Sequence, residues 1–168
     1  KPRPVRAMVV GIPNVGKSTL INRLAKRKAT VTGDKPGVTK SQQIIKVDRD
    51  FELFDTPGIL WPKFEDKTVG EHLAFTGAVK DNILDTELLA VRLLEIMGKN
   101  YPEFLKNRYG ELDFSLDAYE LLCQIGKKRG MMMRGGEVDC ERASTMLLDE
   151  YRGGKLGFIT LEMPEAEV

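Results

Sequence analysis

The chain has 168 residues and a formal net charge of +1, with 42% hydrophobic and 30% charged residues. That composition is typical of one or two soluble globular domains, and no apolar run approaches the ~20 residues of a membrane span, so no membrane partner is expected. Residues 1–59 hold 12 Lys/Arg and 5 Asp/Glu (12 − 5 = +7), and residues 60–168 hold 14 and 20 (14 − 20 = −6). The first part suits an anionic ligand, whereas the second is not a broadly cationic surface, and no DNA partner is expected.

The first predicted element is a strand over residues 6–11, indicated by the apolar run RAMVV. It leads into GIPNVGKS at residues 11–18, which satisfies the pattern G-x-x-x-x-G-K-[ST] of phosphate-binding loops. Apolar residues at helical spacing follow over residues 20–24. A strand, a glycine turn and a helix are the context that this motif requires, so the sequence predicts a genuine phosphate loop.

The residue types in this loop have physical reasons. Glycines let backbone N–H groups curl around phosphates, and the helix N-terminus adds positive potential at the same place. Lys17 would reach the β- and γ-phosphates, and the Ser18 hydroxyl would ligate Mg²⁺. The residues of the loop predicted to bind the nucleotide are Asn14, Val15, Gly16, Lys17, Ser18 and Thr19.

The next segment, VTGDKPGVTK at residues 31–40, is polar and rich in turn residues, and QQIIKV after it predicts a strand over residues 43–47. Such a loop could close over the nucleotide and place one threonine hydroxyl on Mg²⁺. We expect Thr39 to be that ligand, with Thr32 and Thr30 as alternatives. The alternative is that the segment is an ordinary connecting loop.

A third strand is predicted over residues 50–55 by FELFD, and it ends in DTPG. Asp55 at the tip of this strand is placed to hold Mg²⁺, and it lies 37 residues after Ser18. Gly58 could present its N–H to the γ-phosphate and move when that phosphate leaves. The metal ligands predicted are therefore Ser18, Thr39 and Asp55, and the catalytic residues are Lys17, Thr39 and Gly58.

The remainder of the chain is predicted to be helical, with an apolar helix over residues 86–98 and two amphipathic helices over about 115–126 and 137–152. Ser115 is a candidate N-cap, and Gly153–Gly154 would end the last helix. KKRGMMMRGG, residues 127–136, groups four basic residues in a loop that either contacts RNA phosphates or is simply a solvated turn.

Two residue types in this region bear on function. His72 lies in a predicted helix after DTPG, where a lone histidine is more often a surface or packing residue than a catalytic one. Cys123 and Cys140 have neither C-x-x-C spacing nor a nearby histidine, so the sequence indicates neither a zinc site nor a disulfide scaffold. Two free thiols fit a reducing cytoplasm.

The motifs GIPNVGKST, PGVTK and DTPG together resemble those of translation-factor-related GTPases. With DTPGILWPKFED and LAFTGAVKDNILD, the chain resembles the ribosome biogenesis GTPase A (YlqF) family from about residue 4 to about residue 162. The resemblance implies an α/β P-loop NTPase fold, as a partial, circularly permuted G domain at residues 1–64, followed by an all-α helical domain at residues 65–168. It also implies GTP or GDP with Mg²⁺ as ligands and a cytoplasmic monomer that acts on the large ribosomal subunit, its rRNA and its proteins.

A guanine-specific GTPase also needs an N/T-K-x-D box and an S-A-K-like turn, and residues 59–168 contain neither. Either the protein never recognised guanine, or the boxes precede the phosphate loop, as they do in the permuted family that the chain resembles. Because the sequence begins KPRPVR without Met and enters its first strand within a few residues, we interpret the chain as the C-terminal portion of a permuted GTPase.

The residue after DTPG is Ile59, where Ras-like proteins have a glutamine that orients the attacking water. Isoleucine cannot polarise water, so intrinsic hydrolysis is expected to be slow, on the order of 10⁻⁴–10⁻³ s⁻¹ or below. The resemblance suggests help from the ribosome or from K⁺ held by Asn14, although Asn14 could instead stabilise a turn.

The predicted function is a GTP-hydrolysing switch in assembly of the large ribosomal subunit. A nucleotide-gated RNA- or protein-binding module with negligible turnover is the alternative. An ATP-using P-loop enzyme is disfavoured by DTPG.

Overall fold

A computed structural model describes residues 3–25, 42–60, 66–79 and 85–162 of the chain. The elements within these residues are β1 (Val5–Val9), α1 (Lys17–Leu24), β2 (Gln43–Lys46), β3 (Phe51–Asp55), α2 (Lys67–Phe75), α3 (Thr86–Asn100), α4 (Pro102–Tyr109), α5 (Ala118–Lys128) and α6 (Cys140–Arg152). They fall into two compact units, one up to residue 80 and one from residue 81. The sequence suggested a boundary between residues 64 and 65, before α2, whereas the two compact units divide between residues 80 and 81, after α2.

The first unit contains a three-stranded sheet with the strand order β1-β3-β2. Strand β1 runs parallel to β3, from the pair Val5–Phe51 to the pair Val9–Asp55, and β2 runs antiparallel to β3. All three predicted strands are therefore confirmed, with β1 ending two residues earlier than expected. The parallel register brings the carboxyl ends of β1 and β3 to the same edge of the sheet, where ligands bind in open α/β sheets.

Helix α1 covers one face of this sheet. Ile21 is fully buried, and it forms a core cluster with Ile45 and Leu53, which are 4% and 3% exposed. The neighbouring apolar residues of α1, Leu20 and Leu24, are about half exposed. The helix is therefore anchored on β2 and β3 mainly through Ile21.

Helix α2 begins at the N-cap Asp66, whose carboxylate accepts the Thr68 N–H at 2.7 Å. It ends in a Schellman motif at Gly77, which has a positive φ of 73° that a glycine adopts without strain. The Gly77 N–H donates to the Ala74 carbonyl at 3.0 Å, and the next N–H donates to the Leu73 carbonyl at 2.9 Å. These two hydrogen bonds fix the backbone on both sides of the Gly77 carbonyl, so the direction of that carbonyl is fixed as well.

The second unit is built around α3, whose predicted bounds of 86–98 extend to residue 100. The buried residues of α3 are Leu89, Ala90, Leu93, Leu94 and Met97. They recur at spacings of three and four, as required of a helix that packs on more than one neighbour. Within the residues that the model describes, no helix combines the length and apolar character needed to cross a membrane.

The starts of α5 and α6 differ from the sequence prediction. The N-cap of α5 is Asp117, not Ser115, because Asp117 and Glu120 form a reciprocal capping box. The Ser115 N–H and hydroxyl instead donate to Asp113. Helix α6 begins at Cys140 after the N-cap Asp139, since Val138 before it forms an isolated β-bridge with Met132.

A buried carboxylate, Glu150 on α6, organises the second unit. Glu150 is 7% exposed and accepts hydrogen bonds from the Arg108 guanidinium and from the Tyr109 hydroxyl at 2.8 Å. The Arg129 guanidinium lies 3.3 Å from Glu150 and 5.2 Å from the centroid of the Tyr109 ring. The Arg108 hydrogen bond, followed by those of its neighbours, holds the pKa of Glu150 below its ordinary value although burial opposes this.

Replacing Glu150 with glutamine is expected to lower the free energy of unfolding by on the order of 1–3 kcal/mol, because the guanidinium groups of Arg108 and Arg129 lose the negative charge that they are paired with. The native charge contributes fully above the ordinary pKa of 4.5 and is lost as the pH falls below it towards the lowered folded value. Urea unfolding of the full-length protein, followed by far-UV circular dichroism across this pH range, measures both effects. Glu141→Gln, at an exposed position of the same helix, is the control; equal losses in both variants would contradict the assignment.

Candidate phosphate-binding site

The predicted phosphate loop forms a turn between β1 and α1. Asn14 has a left-handed φ of 60° and Gly16, the N-cap of α1, has a φ of 88°. No side chain caps the helix at Gly16, and the first turn contains no acidic residue. The helix dipole favours an anion at this end of α1, where the first N–H groups point towards the loop.

Lys17, the first residue of α1, folds back along the loop. Its Nζ donates to the carbonyls of Gly11 at 3.0 Å and of Ile12 at 2.7 Å. Burial lowers the pKa of Lys17, and the nearby Asp55 partly offsets this effect. A cation that is partly removed from water and held at the rim of an uncapped helix is suited to bind a phosphate oxygen.

Asp55 and Ser18 lie together beneath the loop. Asp55 ends β3 with its side chain fully buried, and the Ser18 hydroxyl donates to its Oδ2 at 3.1 Å. The next residue, Thr56, donates its hydroxyl to the Val9 carbonyl at 2.7 Å and so fastens the end of β3 to that of β1. A carboxylate and a hydroxyl at this spacing supply the hard oxygen ligands that Mg²⁺ prefers, so these residues fit the ion predicted from the sequence.

Gly58 packs directly on the phosphate loop. A Cβ built on Gly58 would lie 2.5 Å from both the Cα and the N of Pro13 and 2.9 Å from the carbonyl carbon of Ile12. All three neighbours are backbone atoms, which cannot rotate away. Only glycine allows this approach, which brings the DTPG segment against the phosphate loop.

Asn14 makes a contact that the sequence did not predict. Its Nδ2 donates to the Gly77 carbonyl at 2.8 Å, across 63 residues of chain. Asn14 lies in a left-handed turn and Gly77 lies in the Schellman motif at the end of α2, and the two backbones bring the Asn14 amide and the Gly77 carbonyl together. The glycine after a predicted helix could have been identified from sequence as a C-cap, but its pairing with Asn14 could not.

The other predicted site residues vary in position. Val15 and Thr19 are exposed in the loop and on the first turn of α1, and Ile59 is 75% exposed after DTPG. Thr39 and its alternatives, Thr32 and Thr30, lie outside the described residues. His72 lies on α2, as predicted, with its ring centroid 6.2 Å from that of Phe75.

In the second unit, the basic loop predicted at residues 127–136 is confirmed as a surface feature. Lys127, Lys128 and Arg134 are exposed. Arg129, which the sequence grouped with them, is a partner of Glu150 and stacks on Tyr109. All four basic residues are exposed, and Arg129 also takes part in the internal network of Glu150.

A family model described as "50S ribosome-binding GTPase" matches residues 6–109. The chain is 57% identical to ribosome biogenesis GTPase A of Bacillus cereus over 98% of the chain and 56% of that protein, and 32% identical to its namesake of Thermotoga maritima over 97% and 58%. It thus spans just over half the length of these curated relatives.

Solved structures agree with the sequence comparisons. The structure of GDP-bound YlqF superimposes with a TM-score of 0.67 at 27% identity, over 99% of this chain and 63% of that one. That of GNP-bound YlqF from T. maritima gives a TM-score of 0.62 at 28% identity, over 98% and 62%. Together with the loop geometry, these matches establish a P-loop GTPase fold like that of YlqF, and the chain belongs to the 50S ribosome-binding GTPase family, in the ribosome biogenesis GTPase A group that its motifs predicted.

Proposed function

We propose that this chain supplies the phosphate- and magnesium-binding part of a GTPase that acts in assembly of the large ribosomal subunit. The observation that carries the proposal is the convergence of Lys17, Ser18, Asp55 and Gly58 at the ends of two parallel strands. Family membership and the relatives' name, ribosome biogenesis GTPase A, support the same conclusion.

The roles of the residues follow from their positions. The uncapped first turn of α1 and Lys17 bind the β- and γ-phosphates, and Ser18 and Asp55 hold Mg²⁺, with Thr39 as the third protein ligand proposed from sequence. When bound by these residues, Mg²⁺ would supply positive charge next to the phosphates. Gly58 would donate its N–H to the γ-phosphate. Loss of that phosphate would remove this hydrogen bond and release the segment that follows DTPG.

Slow turnover without a partner is part of the proposal. Ile59 is aliphatic and 75% exposed, so it neither polarises water nor shields the site. In other GTPases an arginine supplies positive charge in the transition state. We assign this role to K⁺ held by the Asn14 side-chain oxygen, since Asn14 lies in the loop and its Nδ2 is bound to Gly77. Stimulation by the large subunit would then act on a site that is complete except for water activation.

This mechanism predicts that GTP turnover by the full-length protein rises when K⁺ replaces Na⁺ and rises again with large ribosomal subunits. Asn14→Ala is expected to lose the K⁺ effect. Asn14→Asp keeps an oxygen ligand but loses the donor to Gly77, so it is expected to retain the effect. Loss of K⁺ stimulation in both variants would assign the role to the Gly77 contact instead. Subunit binding that depends on GTP but brings no turnover would favour the nucleotide-gated binding module.

We further propose that the G domain is circularly permuted, with its guanine-recognition boxes on the N-terminal side of the phosphate loop. Support comes from the absence of an N/T-K-x-D box after DTPG and from the 56–58% of their length over which the relatives match this chain. The full-length protein should then prefer GTP over ATP in competition binding, whereas residues 1–168 alone should show little preference. Strong guanine selectivity of residues 1–168 would exclude the permuted order.

The sequence proposed a helical domain from residue 65 onward, and the compact helical unit begins at residue 81. We propose that this helical part contacts ribosomal RNA or protein. The exposed Lys127, Lys128 and Arg134 are the residues best placed to contact phosphates. A cytoplasmic location and a monomeric state remain part of this proposal. A DNA or membrane partner is not.

A further inference from the structure

The two cysteines of this chain, 17 residues apart in sequence, are adjacent in the second unit. The Sγ atoms of Cys123 on α5 and Cys140 on α6 are 3.3 Å apart. This is about 1.3 Å more than the roughly 2.05 Å length of a disulfide bond. Both thiols are half-buried and free, with the half-exposed Tyr119 hydroxyl 3.6 Å from the Cys140 sulfur.

Close packing of the two helices produces this contact. One turn after Cys123, Gly126 faces α6, and a Cβ built there would lie 3.1 Å from the Ala143 Cβ and 2.6 Å from a methyl group of Val138. Cys123 and Gly126 share one face of α5, and Cys140 and Ala143 share one face of α6, since each pair is three residues apart. The small residues Gly126 and Ala143 let the two helices approach closely, and this approach places the two half-buried thiols in contact.

We propose that Cys123 and Cys140 form a vicinal dithiol site, which a peroxide oxidises to an intramolecular disulfide and which trivalent arsenic bridges. Nothing in the proposed GTPase function requires this site. Its reaction would close a ring of residues 123–140 that contains the whole basic loop, so the oxidised and reduced forms differ in how freely that loop moves.

The chemistry divides between the two sulfurs. We assign the first attack to Cys140, which is the first residue of α6, because burial raises the pKa of the Cys123 thiol to about 11 and disfavours its thiolate. Its thiolate attacks one oxygen of hydrogen peroxide, the O–O bond breaks, and a sulfenic acid and hydroxide are formed. The Cys123 sulfur then displaces the sulfenic hydroxyl, and the S–S bond forms. The two thiol protons leave with the two peroxide oxygens as two molecules of water, and two electrons pass from the sulfurs to the peroxide.

Peptide mapping of the peroxide-treated full-length protein tests the disulfide directly. Lys127, Lys128, Arg129 and Arg134 separate the two cysteines, so trypsin under denaturing, non-reducing conditions places them on different peptides. We expect one linked pair of peptides that a reductant separates, together with loss of maleimide labelling at both residues. A sulfinic or sulfonic acid at Cys140 with Cys123 still labelled, or a link to another chain, would overturn the proposal.

Single variants and an arsenical separate a dithiol site from two independent thiols. Cys123→Ser and Cys140→Ser should each abolish the linked peptides. After mild oxidation, Cys140→Ser should leave Cys123 open to maleimide, whereas Cys123→Ser should leave a sulfenic acid at Cys140 that dimedone labels. Phenylarsine oxide should protect both cysteines from maleimide in the native protein and neither in the two variants. Protection of a remaining single cysteine would contradict the site. Circular dichroism of the variants checks that the helices are intact, since serine is close in volume to cysteine.

Discussion

Replacing Lys17 with alanine is expected to weaken binding of GTP and GDP by the full-length protein roughly 30- to 150-fold, while the protein remains folded. The estimate corresponds to about 2–3 kcal/mol for a charged hydrogen bond that is lost to phosphate. Nζ already lies along the loop on the carbonyls of Gly11 and Ile12. Burial lowers the pKa of Lys17, which means that the ammonium group has already lost part of its hydration before it binds phosphate. Titration calorimetry with GDP and with a non-hydrolysable GTP analogue provides the measurement.

The matched control for Lys17→Ala is Arg23→Ala. Arg23 is an exposed cation in the last turn of the same helix, so its loss changes the net charge equally without touching the phosphate loop. We expect Arg23→Ala to bind nucleotide within about twofold of the wild type, because exposed charges a helix length away are strongly screened. Unchanged affinity in Lys17→Ala would remove the central residue of the proposed site.

Gly58→Ala is expected to weaken nucleotide binding roughly 5- to 150-fold and to lower the melting temperature. The new Cβ would lie 2.5 Å from two backbone atoms of Pro13, about 1 Å inside the optimal separation of two carbon atoms. Overpacking of this kind costs about 1–3 kcal/mol. Relief requires the DTPG segment and the phosphate loop to separate, which moves Asp55 and the Gly58 N–H relative to the phosphates.

A second glycine provides the control for this steric argument. Gly98 lies within α3, and a Cβ there would meet its nearest atoms at 3.7 and 3.9 Å, which is ordinary contact. Gly98→Ala should leave binding unchanged and favour the helix by about 0.8–1.0 kcal/mol. Calorimetry and thermal unfolding of both full-length variants make the comparison. If Gly58→Ala bound nucleotide and melted like the wild type, close packing of DTPG on the loop would not be required.

Much of the phosphate site was predictable from local sequence. The order of strand, glycine loop and helix, the Lys17–Ser18 pair and Asp55 at a strand end all follow from patterns within a few residues. Their chemistry depends on residue type and on chain direction, both of which the sequence states. The pairing of Ser18 with Asp55 also followed, because parallel strands bring their carboxyl ends to one edge.

Helix limits were less predictable where two residues competed for the same role. Ser115 and Asp117 are both good N-caps, and the choice fell to Asp117 because Glu120 completes a reciprocal box with it. The basic loop was identified correctly, but not the role of Arg129, because its partner Glu150 is 21 residues away on α6. In these places the local signal was present but insufficient.

By itself, the sequence determined the chemical class of this protein, because phosphate binding depends on a short run of backbone and side chains whose geometry is local. The tertiary structure alone decided which distant groups meet: Asn14 with Gly77, Gly58 with Pro13, and Cys123 with Cys140. Each of these contacts joins elements whose approach is set by packing of whole helices and loops, and no spacing along the chain encodes that distance.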